Sequence, residues 1–269
     1  MFAKLLKHEW RAGCRTLGIL TLAVLGIGLA AMAVLRVLAH LSDRIIPENP
    51  FSPLVFAALS ISLVFMGIGL AVYAAAAQIL LLYRFYRHKF TDEGYLTFTL
   101  PATPRQLFLS SYVNILLWTL ISGAAVFLAV FLAAVFGPAK GSLVNRDVLS
   151  GIGEVIRELT GEPLYWLTLL PAAASLFCGP LICMSCITIG AVLAKKHKLL
   201  TAFGIYYAFS ALTGFAGTVL TVMASFVSYQ NGELFLILSN VLQTLMQAGA
   251  AVGGSFLSIH LMKHKLNLP

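Results

Sequence analysis

The residues able to do chemistry are few and scattered. Cys183-Met184-Ser185-Cys186 follows Cys178 in one apolar run. Helical spacing brings Cys183 and Cys186 to one face, where a soft metal could bind. A cysteine among Ser, Gly and Ala in such a run is more simply a small packing residue, and no His or Met pattern completes a ligand set, so no metal is expected. Ser255 and His260 share one apolar stretch but are five residues apart, which points them in different directions on a helix. Neither a Gly-x-Ser-x-Gly elbow nor a His-Glu-x-x-His pair occurs. There is no Gly-x-x-x-x-Gly-Lys-Ser/Thr loop to cradle a nucleotide. Without paired catalytic groups the chain is not expected to be an enzyme, and any ATP chemistry must come from a partner.

The elements around these residues belong to a bilayer. Of 269 residues 59% are apolar and 10% charged, whereas soluble domains run nearer to about 45–50% and about 25%. That composition excludes an ordinary soluble enzyme. The net charge of +8 resides in basic residues set between long apolar runs, which suits a membrane surface and argues against nucleic acid. Six runs reach the length of about 20 residues that a spanning helix needs: Leu17–Ala39, Leu54–Tyr83, Gln106–Phe136, Leu164–Leu193, Leu199–Ser228 and Leu234–Met262. Barrel strands would instead alternate apolar and polar residues. The expected fold is an all-α integral membrane protein of six transmembrane helices.

Charge sets its orientation. Four segments (1–16, 84–105, 194–198 and 263–269) hold 13 of the 18 Lys and Arg and the acidic residues Glu9, Asp92 and Glu93. The other three (40–53, 137–163 and 229–233) hold Arg44, Lys140, Arg146, Arg157 and seven acidic residues. The first set is therefore assigned to the cytoplasm, with both termini there. Residues 1–16 interleave Lys4, Lys7, His8, Arg11 and Arg15 with Phe2, Leu5, Leu6 and Trp10. They read as an amphipathic interfacial helix turning into the first span, in preference to a plain basic flank. The stretch from Leu17 is longer than a signal-peptide core and reads as an anchor. Residues 17–262 form the membrane domain and 263–269 a cytoplasmic tail. No acidic residue lies inside a span and the one internal cation is Arg36, which disfavours an ion-coupled carrier with carboxylates at the midplane.

Segment 84–105 carries the most information. A loop that only reverses the chain has no use for Phe90, Tyr95, Leu96 and Phe98, whose exposure to water is unfavourable unless something covers them. Thr103, Pro104 and Gln106 predict a capping box that restarts helix. The run Asp92-Glu93-Gly94-Tyr95-Leu96-Thr97-Phe98-Thr99-Leu100-Pro101, between spans two and three and after a basic amphipathic start, resembles permease subunits of bacterial ABC-2 type transporters. The resemblance implies a coupling element at Phe90, Thr91, Asp92, Glu93, Gly94, Tyr95, Leu96 and Phe98 that docks on a separate ATPase. It further implies two ATPase subunits carrying ATP and Mg, a second permease subunit, the same or homologous, and export across the bacterial inner membrane. The chain departs from the family in having only Tyr229–Glu233 between spans five and six, where many members carry a re-entrant hairpin. The competing class is a non-transporting membrane sensor or scaffold whose loop docks another cytoplasmic protein.

Three further features stand out. Asn240, Gln243, Thr244 and Gln247 fall at i, i+3, i+4 and i+7 in the last span. They form a polar stripe that either bonds to neighbouring helices or lines a translocation path or subunit interface. Gly249-x-x-x-Gly253, on another face, predicts a close helix contact. Pro171 and Pro180 predict kinks in span four, and Glu154, Arg157 and Glu158 beside Val148, Leu149, Ile152 and Ile156 predict an amphipathic helix outside. That helix is either a solvated loop helix, a surface helix or a cap on the pore.

Overall fold

In lipid a backbone without water must satisfy its own polar groups, and a long apolar run does so by becoming helix. The computed structural model describes residues 2–44, 52–91, 94, 103–137, 146–161, 163–194, 197–228 and 231–264. Its helices are α1 (Phe2–Arg44), α2 (Ser52–Phe90), α3 (Pro104–Phe136), α4 (Arg146–Gly161), α5 (Pro163–Leu193), α6 (Lys198–Val227) and α7 (Gly232–His264). All but α4 are long and apolar enough to cross a membrane, and no strand occurs among the described residues. The protein is all-α and multi-pass.

Two boundaries differ from the sequence reading. The basic start does not turn into the first span: residues 2 to 44 are one helix of 43 residues. Lys, Arg, Leu and Ala propagate helix well, and no proline interrupts them. The sequence predicts loop from Arg84, but α2 continues to Phe90. Arg, Tyr and Lys extend a helix already nucleated by its apolar part.

The chain forms two compact units, one of Met1–Glu9, Leu81–Leu116 and Glu158–Pro269 and the other of Trp10–Leu80 and Leu117–Arg157. In the first, α5 packs against α6 and α7, which also touch each other. Small residues permit this. A Cβ on Gly190 would lie 2.5 Å from Ala202 Cα, and one on Gly254 3.0 Å from Ser185 Oγ. α5 continues through Pro171 and Pro180. Tyr112 of α3 donates to the Phe177 carbonyl of α5 at 3.1 Å.

The second unit is centred on Val24, Tyr73, Ala77, Ala125 and Ala129, flanked by Leu20, Leu70 and Val126. Gly28 lies so close to Ala129 that a Cβ would come within 2.6 Å of its methyl group. Trp10 stacks on Trp118 with centroids 4.8 Å apart. The Thr119 hydroxyl lies 3.1 Å from Nε2 and 3.3 Å from Oε1 of Gln78. Tyr73 Oη and Trp118 Nε1 are buried with no hydrogen-bond partner among the described residues.

Candidate functional site

The polar centre of the first unit is assembled from three helix ends. On α2, Leu81, Phe85 and Lys89 follow at intervals of four residues and all three are buried, so the inward face set by two apolar residues carries a lysine at its end. The Lys89 amine meets Glu9 of α1: Nζ donates to Oε1 at 3.3 Å, with the two side chains 4% and 19% exposed. Ser111 of α3 donates to the same oxygen at 2.8 Å, and Arg84 Nη2 donates to the Glu9 backbone carbonyl at 3.3 Å. A buried lysine requires such a counter-charge, since an unpaired ammonium out of water is strongly unfavourable. Asn114, one turn beyond Ser111, is buried with Oδ1 lacking a partner among the described residues.

Aromatic side chains on the same helix ends pack against one another. Phe85 meets Phe90 edge to face at 5.7 Å and Phe108 at 6.2 Å, while Tyr86 stacks on Phe90 at 6.4 Å. Lys198, at the start of α6, donates from Nζ to the Phe90 carbonyl at 3.4 Å, placing a cation at the negative end of α2. The ends of α1, α2, α3 and α6 that meet here come from three of the four basic segments assigned to the cytoplasm. At the start of α3 the expected capping box is present: the Gln106 N–H faces Thr103 Oγ1 at 3.4 Å, and the Thr103 N–H faces Gln106 Oε1 at 3.3 Å.

Phe90, which the sequence predicts as apolar surface in water, is buried. It is 2% exposed, with Phe85 and Tyr86 of its own helix packed against it. Thr91 donates its hydroxyl to the Arg87 carbonyl, and buried Gly94 donates its N–H to the Thr91 carbonyl at 2.7 Å. Asp92, Glu93, Tyr95, Leu96 and Phe98 lie outside the described residues.

No family model, curated protein or solved structure matches the chain.

The stripe on α7 divides. Gln247 accepts a hydrogen bond from Ser175 of α5 at 3.2 Å, which is interhelical bonding, and Thr244 turns back to the Asn240 carbonyl at 2.7 Å. Asn240 is half-buried and Gln243 exposed. The close contact expected at Gly249 and Gly253 is not there. A Cβ at either would meet nothing within 4 Å, and the glycine that α7 presses against α5 is Gly254. The five-residue step from Gly249 to Gly254 turns it to a different face of the helix, so the pattern selected the wrong side. Among the described residues no group of three or more His, Cys, Asp or Glu could hold a metal.

Sequence reading missed Glu9 as the organising carboxylate. The signal was available: Glu9 is the one acidic residue in a basic start, and Lys89 continues the buried period of α2.

Proposed function

We propose that the chain is the permease subunit of an ATP-binding-cassette exporter of the ABC-2 type in a bacterial cytoplasmic membrane. The loop between α2 and α3 then couples it to two separate ATPase subunits, which bring ATP and Mg, and a second permease subunit completes the path. The observation that carries this reading is the foundation of that loop. Its first foot is held by Lys89, Glu9 and Ser111, its second by the Thr103–Gln106 capping box. A loop that only joins two spans needs neither. One that must pass a partner's displacement to the helices needs both, since a rigid mount transmits movement that a slack one absorbs. Within the loop, Tyr95, Leu96 and Phe98 supply apolar anchors and Asp92 and Glu93 an acidic rim.

Co-expression with a P-loop ATPase encoded beside this gene, followed by pull-down and measurement of ATP turnover in vesicles, tests the reading. An aromatic anchor at an interface contributes about 2 kcal/mol or more, roughly thirtyfold in Kd, whereas a rim charge contributes about 1 kcal/mol or less. Tyr95→Ala is therefore expected to weaken ATPase binding far more than Glu93→Ala. If both variants, and a Tyr95→Ala, Phe98→Ala double variant, bind and stimulate like the parent, the loop is not the coupling element. Capture of a non-ATPase protein by the same loop favours a sensor or scaffold.

A further inference from the structure

Among the described residues α4 is the one helix too short and polar to cross a membrane, and its surface is divided cleanly. At 100° per residue Leu149, Ile152, Val155 and Ile156 occupy an arc of roughly 120°, while Ser150, Gly153, Glu154 and Arg157 occupy the opposite side. The apolar arc is outside any core: Leu149 is 44%, Val155 56% and Ile156 55% exposed. The chain also fixes where this helix ends. Glu162 alone separates Gly161 from Pro163, the first residue of α5, so the two Cα atoms are within about 7 Å of each other. Trp166, three residues into α5, is 55% exposed, as expected of an aromatic side chain at the headgroup level of a span. The last turn of α4 is thus tethered to the first turn of the span α5.

We infer that α4 is a lipid-binding interfacial helix, lying on the outer leaflet with Leu149, Ile152, Val155 and Ile156 inserted at the headgroup–acyl boundary. The charge of the helix defines the lipid chemistry. Arg146 and Arg157 stand against Asp147, Glu154 and Glu158, a net charge of −1 that gives no attraction to anionic headgroups. Binding is therefore driven by apolar insertion and is satisfied by zwitterionic lipid, unlike that of a polybasic surface helix. The inference does not depend on the transporter reading.

The test uses the full-length protein without its native cysteines, reconstituted in phosphatidylcholine vesicles. An environment-sensitive fluorophore is attached at Val155→Cys, Leu149→Cys or Glu154→Cys in turn. Lipid carrying a nitroxide near the headgroup should quench the labels at 155 and 149 at least about threefold more than the label at 154, and aqueous iodide should show the reverse order. Replacing a third of the lipid by phosphatidylglycerol should leave both orders unchanged. Two apolar positions guard against a variant that fails to fold. Equal quenching at all three positions overturns the inference in favour of a solvated loop helix. Protection of 149 and 155 from both quenchers, with cross-linking of Val155→Cys between chains, overturns it in favour of a second copy. Lipid quenching that appears only with phosphatidylglycerol assigns contact to the arginines and overturns it as well.

Discussion

Glu9→Gln changes a charge and almost no volume, which makes it the sharpest probe of the buried centre. The variant leaves the Lys89 ammonium, whose side chain is 4% exposed, without the Glu9 counter-ion. Breaking a buried pair by removing one partner typically destabilises by about 3–5 kcal/mol. Glu9 retains 19% exposure, so some water reaches the site and the lower end, about 3 kcal/mol, applies. At roughly 2–4 °C per kcal/mol for a chain of this size, the midpoint of thermal denaturation should fall by roughly 6–12 °C. Lys89→Met should lose less, about 1–2 kcal/mol, because Glu9 keeps the Ser111 hydroxyl as donor. Combining the two should fall no further than Glu9→Gln alone, since no orphaned charge then remains. The assay is the temperature at which half the detergent-solubilised protein leaves the monodisperse peak, with the double-mutant cycle giving the coupling. If Glu9→Gln stays within about 2 °C of the parent, the pair is hydrated like a surface ion pair. The loop would then have no rigid foot.

Other outcomes follow from the same coordinates. Gly190→Ala sets a methyl group against the Ala202 backbone and should destabilise by about 1–3 kcal/mol, whereas Gly249→Ala and Gly253→Ala, which meet open space, should be neutral or stabilising by up to about 1 kcal/mol; thermal midpoints in detergent compare them. Gln247→Leu removes the Ser175 bond and should lower stability by about 0.6–1.7 kcal/mol, while exposed Gln243→Leu should leave stability unchanged and reduce substrate-stimulated ATP turnover if the stripe lines the path. His197 holds φ 57° with no side-chain cap on α6, so His197→Gly should raise the thermal midpoint by relieving about 1 kcal/mol of left-handed strain. Membrane-impermeant maleimide should label Ser150→Cys in intact cells and Arg105→Cys only after permeabilisation; the reverse pattern refutes the orientation.

Much of the fold was legible because the bilayer imposes a length and an apolar content that few other environments demand. All six spans were found, and the Thr103-Pro104-Arg105-Gln106 start of α3 was placed to the residue, since capping is a local interaction. The helix ends beyond the lipid were not, because composition marks where hydrocarbon stops and not where helix stops: Arg84 to Phe90 are polar enough for a loop and still helical. The buried centre escaped for a different reason. Glu9, Lys89 and Ser111 are separated by 80 and 22 residues, so a lone acid in a basic start signals a partner without naming it, and their meeting depends on tertiary packing. Gly249 and Gly253 show the converse error, a motif that names the right residue type for close approach and the wrong face of the helix.

The Gln78–Thr119 contact has a consequence for how the membrane domain is assembled. A hydroxyl placed across the amide, 3.1 Å from Nε2 and 3.3 Å from Oε1, can donate or accept, so either orientation of the amide leaves it with a partner. A slip of α2 against α3 by one turn, about 5.4 Å, would break this contact. The two helices can therefore enter the bilayer as a hairpin whose alignment is checked from within, before any later helix arrives to shield it. The register of α2 against α3 is thereby set within the helices themselves.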